Sequence, residues 1–149
     1  MWLIFSVAAV VFAVSASNPT LAQSGGEMTP EQQIAEGEAI FRLYCSPCHG
    51  VDARGGGPVA ADLKTEPPSL RDITKRRNNV FDAREITAFI DGRDMPRAHG
   101  TPEMPIWGNL FRYVAEVSDA LASDQEAIER RAQERISLIV KYLESIQEK

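Results

Sequence analysis

The chain has 149 residues, with 16 basic and 21 acidic side chains and a formal net charge of −5 at pH 7. This length is enough for one small domain with one core. The basic residues are mostly scattered among acidic ones and form no run longer than three, which argues against nucleic-acid binding.

The N-terminus carries an uncharged, mostly apolar run from Trp2 to Val14, too short for a comfortable membrane span. Small residues follow, and they suit cleavage after residue 16 or after residue 22. No Lys or Arg precedes the run, so an uncleaved anchor, or a start that omits a basic segment, remains an alternative. The pattern favours a signal peptide over 1–22, a flexible tail over 23–28 and one domain over 29–149, with no stable membrane insertion after cleavage.

The first helix is predicted to begin at Thr29, because Pro30 suits the first helical position and Gln32 completes a capping box with Thr29. Apolar and small residues then share one helical face: Ile34, Gly37, Ile40 and Phe41. Glycine inside a helix costs about 1 kcal/mol relative to alanine. Such a glycine often marks the close approach of another backbone, and the alternative is a glycine that the helix merely tolerates.

Residues 45–49 read Cys-Ser-Pro-Cys-His, the C-x-x-C-H attachment signature of a c-type haem. Two thiols at this spacing can add to the two vinyl groups of haem, and His49 follows at once as a ligand to iron. A thioredoxin-like pair should follow a buried strand, whereas this motif follows an amphipathic helix. A structural zinc site needs four ligands, and beyond the motif only His99 remains. The motif thus predicts one covalent haem c held by Cys45, Cys48 and His49.

Two further helices are predicted downstream. A short one runs from Asp82 to Asp91, with a capping box of Asp82 and Glu85 and a stop at Gly92. A long one is capped by Asp124 and carries an apolar stripe. The stripe consists of Ile128, Ala132, Ile136, Ile139, Val140, Leu143 and Ile146. No segment reads as a strong strand.

The sixth iron ligand is sought among Met95, His99 and Met104. Both methionines precede a proline, which favours an extended backbone able to present the side chain. Charged residues surround Met95, whereas apolar residues follow Met104. A ligand to haem iron must line a dry pocket, and the neighbours of Met104 fit such a pocket better. A thioether stabilises ferrous iron and raises the potential. Met104 is therefore the favoured ligand, with Met95 and His99 as alternatives.

At this point the sequence resembles the class I, single-haem cytochrome c family, from the helix at Thr29 to the helix that ends near Gln147. The residues that carry this resemblance are Gly37, Phe41, Cys45, Cys48, His49, Gly50, the 55–58 loop, Tyr142 and Leu143. The resemblance implies an all-α, small cytochrome c-like fold with haem enclosed by helices and loops. Its N- and C-terminal helices would cross at nearly right angles, with Gly37 at the contact.

The resemblance also implies roles for individual residues. A proline carbonyl after the haem motif accepts the N–H of the proximal histidine in similar cytochromes, which suggests Pro58 for His49, or else a proline that only stiffens the loop. The context of Met104 matches a frequent distal-ligand context. Trp107 is expected to pack on haem or to belong to the core. The guanidinium groups of three arginines are considered for the haem propionates: Arg93, Arg97 and Arg112.

The sequence therefore predicts a periplasmic mono-haem cytochrome that carries electrons between protein partners and has no substrate turnover of its own. A second hypothesis is a haem subunit of a larger oxidoreductase, in which the stretch from Asn109 to Ser123 docks onto a partner or covers the haem. A third is a ligand-binding or peroxidatic haem protein with an open distal site.

Overall fold

The computed structural model describes residues 27–94, 104–118 and 124–148. Regular structure in these ranges is entirely helical, as predicted, and there is no strand within them. The helices are α1 (Pro30–Tyr44), α2 (Ser46–His49), a 3-10 helix (Ala60–Asp62), α3 (Ile73–Arg76), α4 (Ala83–Asp91), α5 (Trp107–Ser118) and α6 (Gln125–Ser145). The predicted leader, most of the predicted tail, Met95, Arg97 and His99 lie outside the described residues.

The start of α1 is fixed by side chains close in sequence. Thr29 Oγ1 accepts a hydrogen bond from Gln32 N at 3.3 Å, and Gln32 Oε1 accepts one from Thr29 N at 2.8 Å. This reciprocal pair satisfies two backbone donors that the first helical turn leaves free. The predicted capping box is confirmed.

A side chain also caps the start of α4, and a glycine ends this helix. The Asp82 carboxylate accepts hydrogen bonds from the backbone N–H groups of Arg84 and Glu85 at 3.0 and 3.1 Å. Gly92 then ends the helix in the left-handed conformation, with φ of 73°. That conformation is costly for residues with a β-carbon, so glycine suits this position.

The core lies mainly between α1 and α6. Asp124 caps α6, since its Oδ1 accepts a hydrogen bond from Ala127 N at 2.6 Å. The predicted stripe on α6 is buried except for Ile146, which is half-buried. Phe41 on α1 is fully buried and packs against Tyr142 on α6, with ring centroids 5.2 Å apart. The two helices therefore hold each other through aromatic and aliphatic contacts.

Helix α5 packs against α6 and α4 and buries Trp107, Phe111 and Ala115. It includes most of the stretch from Asn109 to Ser123, for which the sequence allowed either a docking surface or a segment that covers the haem. No helix of the described ranges has both the length and the apolar character that spanning a membrane requires.

Candidate functional site

A cavity of about 370 Å³ opens beside the C-terminal ends of α1 and α2 and the start of α5. Five residues singled out from the sequence line it: Cys45, Cys48, His49, Met104 and Trp107. Apolar side chains complete most of the lining: Phe41, Leu63, Leu70, Ile73, Ile86, Phe89, Ile90, Ile139 and Leu143. The fold thus gathers both thiols, one imidazole and one thioether around a single apolar space.

The loop after the Cys–His motif folds back onto the motif itself. Gly55 N donates to His49 O at 2.8 Å, and Gly57 N donates to Cys48 O at 3.1 Å. A β-carbon on Gly57 would lie 2.5 Å from Ser46 O, so only glycine permits this approach. These backbone bonds fix the orientation of the residues that carry the chemistry.

The two cysteines are free thiols rather than a disulfide. Burial raises the pKa of Cys45 to about 12, and the neighbouring Cys48 contributes in the same direction. At neutral pH Cys45 therefore stays protonated, and a protonated thiol is a poor nucleophile for disulfide exchange. This environment does not favour the thioredoxin-like alternative, which requires a thiolate.

His49 ends α2, and its side chain is half-buried, with the Nδ1 atom fully buried. Its Nδ1 atom has no hydrogen-bond partner among the described residues. Burial lowers the pKa of His49, while the backbone carbonyl of Pro68 acts in the opposite direction. The ring is therefore neutral at pH 7, which is the form that binds metals. A buried ring nitrogen without a partner is uncommon in a folded protein and points to a missing ligand or ion.

Pro58, the proline expected to accept a hydrogen bond from His49, lies away from the cavity lining. Pro58 is exposed and does not line the cavity. Pro67 and Pro68 line it instead, and the carbonyl of Pro68 is the one close enough to influence the imidazole. The long loop brings Pro68 back through backbone pairing, because Leu70 N donates to Ala53 O at 2.8 Å. The position of Pro58 thus gives no support to its expected role.

The segment before α5 supplies another part of the lining. Met104 and Pro105 both face the cavity, and the Met104 side chain is 41% exposed. Behind them, Trp107 stacks on Phe111 with ring centroids 5.8 Å apart and meets the edge of Tyr44 at 6.0 Å. This aromatic group gives the cavity a rigid, apolar side.

The cations on the cavity lining are not those considered from the sequence. Arg76 and Arg77 line it, whereas Arg93 and Arg112 do not. Arg77 pairs with Glu85 and lies over the Phe89 ring, 5.8 Å from its centroid. Arg76 Nη1 donates to Ser69 O at 2.8 Å, and within the described ranges Arg76 forms no salt bridge. Arg76 therefore keeps a charge available at the edge of an apolar cavity.

The sequence was compared with protein-family models, with curated proteins and with solved structures. Residues 32–122 match the family described as "Cytochrome C oxidase, cbb3-type, subunit III". The chain belongs to this family of c-type cytochromes. Membership implies covalently attached haem c with iron and haem-based electron transfer, as a carrier or as an oxidase subunit. Comparisons with curated proteins and with solved structures find no significant match.

The cavity residues fit the group that this c-type cytochrome family implies. The lining is mostly apolar, as a porphyrin requires, and a buried imidazole nitrogen lacks a partner there. Two thiols at attachment spacing lie on the same lining, and two arginines on it could pair with charged propionates. Sequence reasoning missed the influence of the Pro68 carbonyl on His49, and it missed Arg76 and Arg77. The Pro67-Pro68 pair was visible in the sequence, but no local pattern showed that its carbonyl would reach His49.

Proposed function

We propose that the chain is a mono-haem c-type cytochrome that transfers electrons outside the cytoplasm. The observation that carries the proposal is the convergence of two thiols and an imidazole with a buried, unpartnered Nδ1 atom on one apolar cavity. One attachment motif in the chain supports one haem. When bound, the haem supplies an iron that cycles between the ferric and ferrous states.

Cys45 and Cys48 provide the covalent link. Each thiol would add across a vinyl group, its sulfur bonding to one carbon and its hydrogen passing to the other, so the reaction would consume no oxidant. The protonated state of Cys45 suits this addition better than disulfide formation. Cys45 caps α2 and Cys48 lies within it, and both line the cavity, so both thiols would be available to one bound haem.

His49 is proposed as the proximal iron ligand. One ring nitrogen would bind the metal, and the other would be oriented by a backbone carbonyl, an arrangement that improves imidazole as a donor. Pro68 is the residue positioned for that second role, because its carbonyl opposes the lowering of the ring's pKa that burial causes. We assign to Pro68 the function that the family resemblance suggested for Pro58.

Met104 is proposed as the distal ligand, with Trp107 packed beside the cofactor. Both line the cavity, and the apolar side chains around them would limit the access of water to a bound metal. A low local dielectric and a neutral thioether both favour ferrous iron, which carries less charge than ferric iron. Arg76 and Arg77 would pair with the propionates and let them stay ionised at the edge of the cavity.

The mass of the purified polypeptide tests the covalent link directly. After expression with a working haem-maturation system, extraction with acidic acetone should leave one haem attached to the chain. Replacing Cys45 or Cys48 with alanine should weaken or abolish stable attachment. A wild-type polypeptide that carries no haem under these conditions would overturn the proposal.

The distal assignment has its own test. Ferric wild-type protein should show the weak near-infrared band of sulfur-to-iron charge transfer, and Met104→Ala should abolish it and open the iron to carbon monoxide. Met95→Ala and His99→Ala serve as matched controls and should leave both properties unchanged. Loss of the band in Met95→Ala alone would move the ligand there, and a response to His99→Ala alone would indicate two histidine ligands.

The location is tested by the N-terminus of the mature protein. Protein recovered from the periplasm should begin near Ser17 or Gln23, as the small residues after the apolar run indicate. Membrane-bound protein that retains Met1 would support an uncleaved anchor instead.

A second candidate function is that of a haem subunit in a larger oxidase. The family description favours it, and α5 exposes two large side chains one turn apart, Tyr113 and Val117, each 62% exposed. A partner that covers this face would explain their exposure. Gentle detergent extraction followed by size-exclusion chromatography separates the two functions, because a free carrier elutes as a monomer and a subunit elutes with its partner.

A further inference from the structure

An ion cluster joins α4, α5 and α6 at some distance in sequence from the Cys–His motif. Arg93, just after α4, uses its Nε and Nη2 atoms to donate to both carboxylate oxygens of Asp91, at 2.6 and 2.7 Å. The same guanidinium donates through Nη1 and Nη2 to both oxygens of Glu129 on α6, at 2.7 and 2.6 Å. One arginine therefore holds two carboxylates, each through two hydrogen bonds, and this fixes its orientation.

Neighbouring side chains complete the cluster. Gln133 Nε2 donates to Asp91 Oδ2 at 2.7 Å and to Glu129 Oε1 at 3.0 Å. Arg112 on α5 approaches Glu129 with its Nη1 atom at 3.6 Å. The side chains of Arg93 and Asp91 are only 21% and 15% exposed, so this is not an ordinary surface ion pair.

The cluster rests on the backbone that leads into α5. A β-carbon on Gly108 would lie 2.5 Å from Arg93 Nε and 2.9 Å from Asp91 Cγ. A β-carbon on Gly92 would lie 3.4 Å from the Cα of Ile106. Residues 106–108 therefore lie directly against residues 91–93. A displacement of Arg93 would change the contacts that hold residues 106–108 in place.

That backbone carries Met104. The segment from Met104 to Trp107 contains three cavity-lining residues, and Met104 lies only two residues before Ile106. Residue 104 is outside regular structure, so α-helical hydrogen bonds do not hold it in place. The contacts of residues 106–108 with the ion cluster provide an anchor close to the proposed ligand.

We propose that Arg93, locked between Asp91 and Glu129, is a positioning residue that keeps Met104 at the cavity in reach of the iron. This inference rests on the proposed function, in which Met104 is the distal ligand. A thioether is a weak ligand. The fraction of molecules with methionine bound to the iron therefore depends on how often the protein keeps the Met104 side chain near the iron. Loosening the anchor therefore lowers the fraction with methionine bound and makes the iron accessible to competing ligands.

The test measures binding of exogenous imidazole to the ferric haem protein, because imidazole competes with the distal methionine. Arg93→Gln should raise the apparent affinity for imidazole by about 10-fold and weaken the sulfur-to-iron band. Glu129→Gln changes the partner of Arg93 on α6. It should shift imidazole affinity and band strength in the same direction as Arg93→Gln does, but less, because Asp91 still holds Arg93. The double variant should show less than the sum of the two effects, since the two side chains form one interaction.

Arg130→Gln is the matched control. Arg130 is also on α6, but it pairs with Glu126 at 3.0 Å, and its side chain is 62% exposed. It should leave imidazole affinity at the wild-type value. Arg93→Lys keeps the charge without the planar fork and should recover only part of the wild-type behaviour.

The outcomes separate the inference from the proposed function. If Arg93→Gln lowers the urea midpoint while its imidazole affinity matches that of Arg130→Gln, Arg93 is merely structural and the inference is wrong. If the wild-type haem protein shows no sulfur-to-iron band, both the distal assignment and the inference fall. A normal wild-type band that is equally strong in Arg93→Gln overturns the inference alone.

Discussion

Gly37 of α1 lies so close to Leu138 of α6 that a β-carbon on Gly37 would stand 2.7 Å from the carbonyl carbon of Leu138 and overlap its oxygen. The same β-carbon would lie 3.0 Å from Tyr142 Cβ. Two neighbouring turns of α6 therefore depend on the absence of a side chain at this point. The helices that build the cavity are held together at a glycine.

Gly37→Ala should destabilise the haem protein. The added methyl group forces α1 away from α6, and overpacking of this kind costs about 1–3 kcal/mol, partly offset by the better helix propensity of alanine. Urea unfolding followed by helical circular dichroism measures the change. Glu36→Ala, at an exposed neighbouring position of α1, is the control and should change stability little.

Local sequence patterns predicted much of this fold. Thr29, Asp82 and Asp124 cap the helices that were assigned to them, because a capping interaction involves residues only two or three positions apart. Gly37 was also interpreted correctly, since a glycine that lowers helix propensity needs a packing reason. Helix caps and helix glycines depend on residues close in sequence, so the sequence alone is enough to predict them.

The details of the site depended on distant contacts. Pro68 approaches His49 because a long loop returns to the motif and pairs with Ala53, and no local pattern contains that information. Arg93 was considered as a propionate contact, but Asp91 and Glu129 engage its guanidinium fully, and Glu129 is 36 residues away in sequence. Long-range pairing of charged side chains cannot be derived from spacing.

The buried face of α5 gives a second prediction about stability. Phe111 is fully buried and contacts the rings of Tyr44 and Trp107. Phe111→Ala should cost about 3–5 kcal/mol, because it leaves a cavity beside the haem site. Tyr113→Ala on the same helix, at an exposed position, should have little effect in an isolated chain. Equal effects of the two changes in urea unfolding would show that α5 does not pack as described.

Arg76 gives a prediction about the potential of the haem protein. A positive charge at the cavity edge favours ferrous iron, so Arg76→Gln should lower the potential. At a fixed solution potential the ferrous-to-ferric ratio should fall roughly 2- to 10-fold, the Coulombic effect of one charge across about 10 Å. Redox titration followed by visible absorption gives this ratio.

The control for this titration is Arg84→Gln, which removes the same charge from an exposed position of α4 outside the cavity lining. Arg76→Lys keeps the charge and should stay near the wild-type potential. Equal shifts in Arg76→Gln and Arg84→Gln would show that net charge alone sets the effect, and would remove Arg76 from the site.

Glu129 gives a prediction about acid stability. Hydrogen bonds from Arg93, assisted by those from Gln133 and by the charge of Arg112, lower the pKa of Glu129 from 4.5 to about 2. A carboxylate with a lowered folded-state pKa stabilises the protein fully above its unfolded-state pKa. That stabilisation is lost as the pH falls from about 4.5 towards about 2.

Glu129→Gln should therefore unfold at lower urea concentration than the wild type at neutral pH, and the difference should shrink as the pH is lowered through this window. Arg93 also lowers the pKa of Asp91, so the variant keeps part of the acid sensitivity of the cluster. Urea midpoints of both haem proteins, measured at several pH values, test this directly, and comparison between variants cancels the effects of other titrating groups. Glu126→Gln, at a side chain 86% exposed on the same helix, should follow the wild type throughout. A constant difference between wild type and Glu129→Gln across the whole window would contradict the prediction, because it would mean that the charge of Glu129 does not account for its contribution.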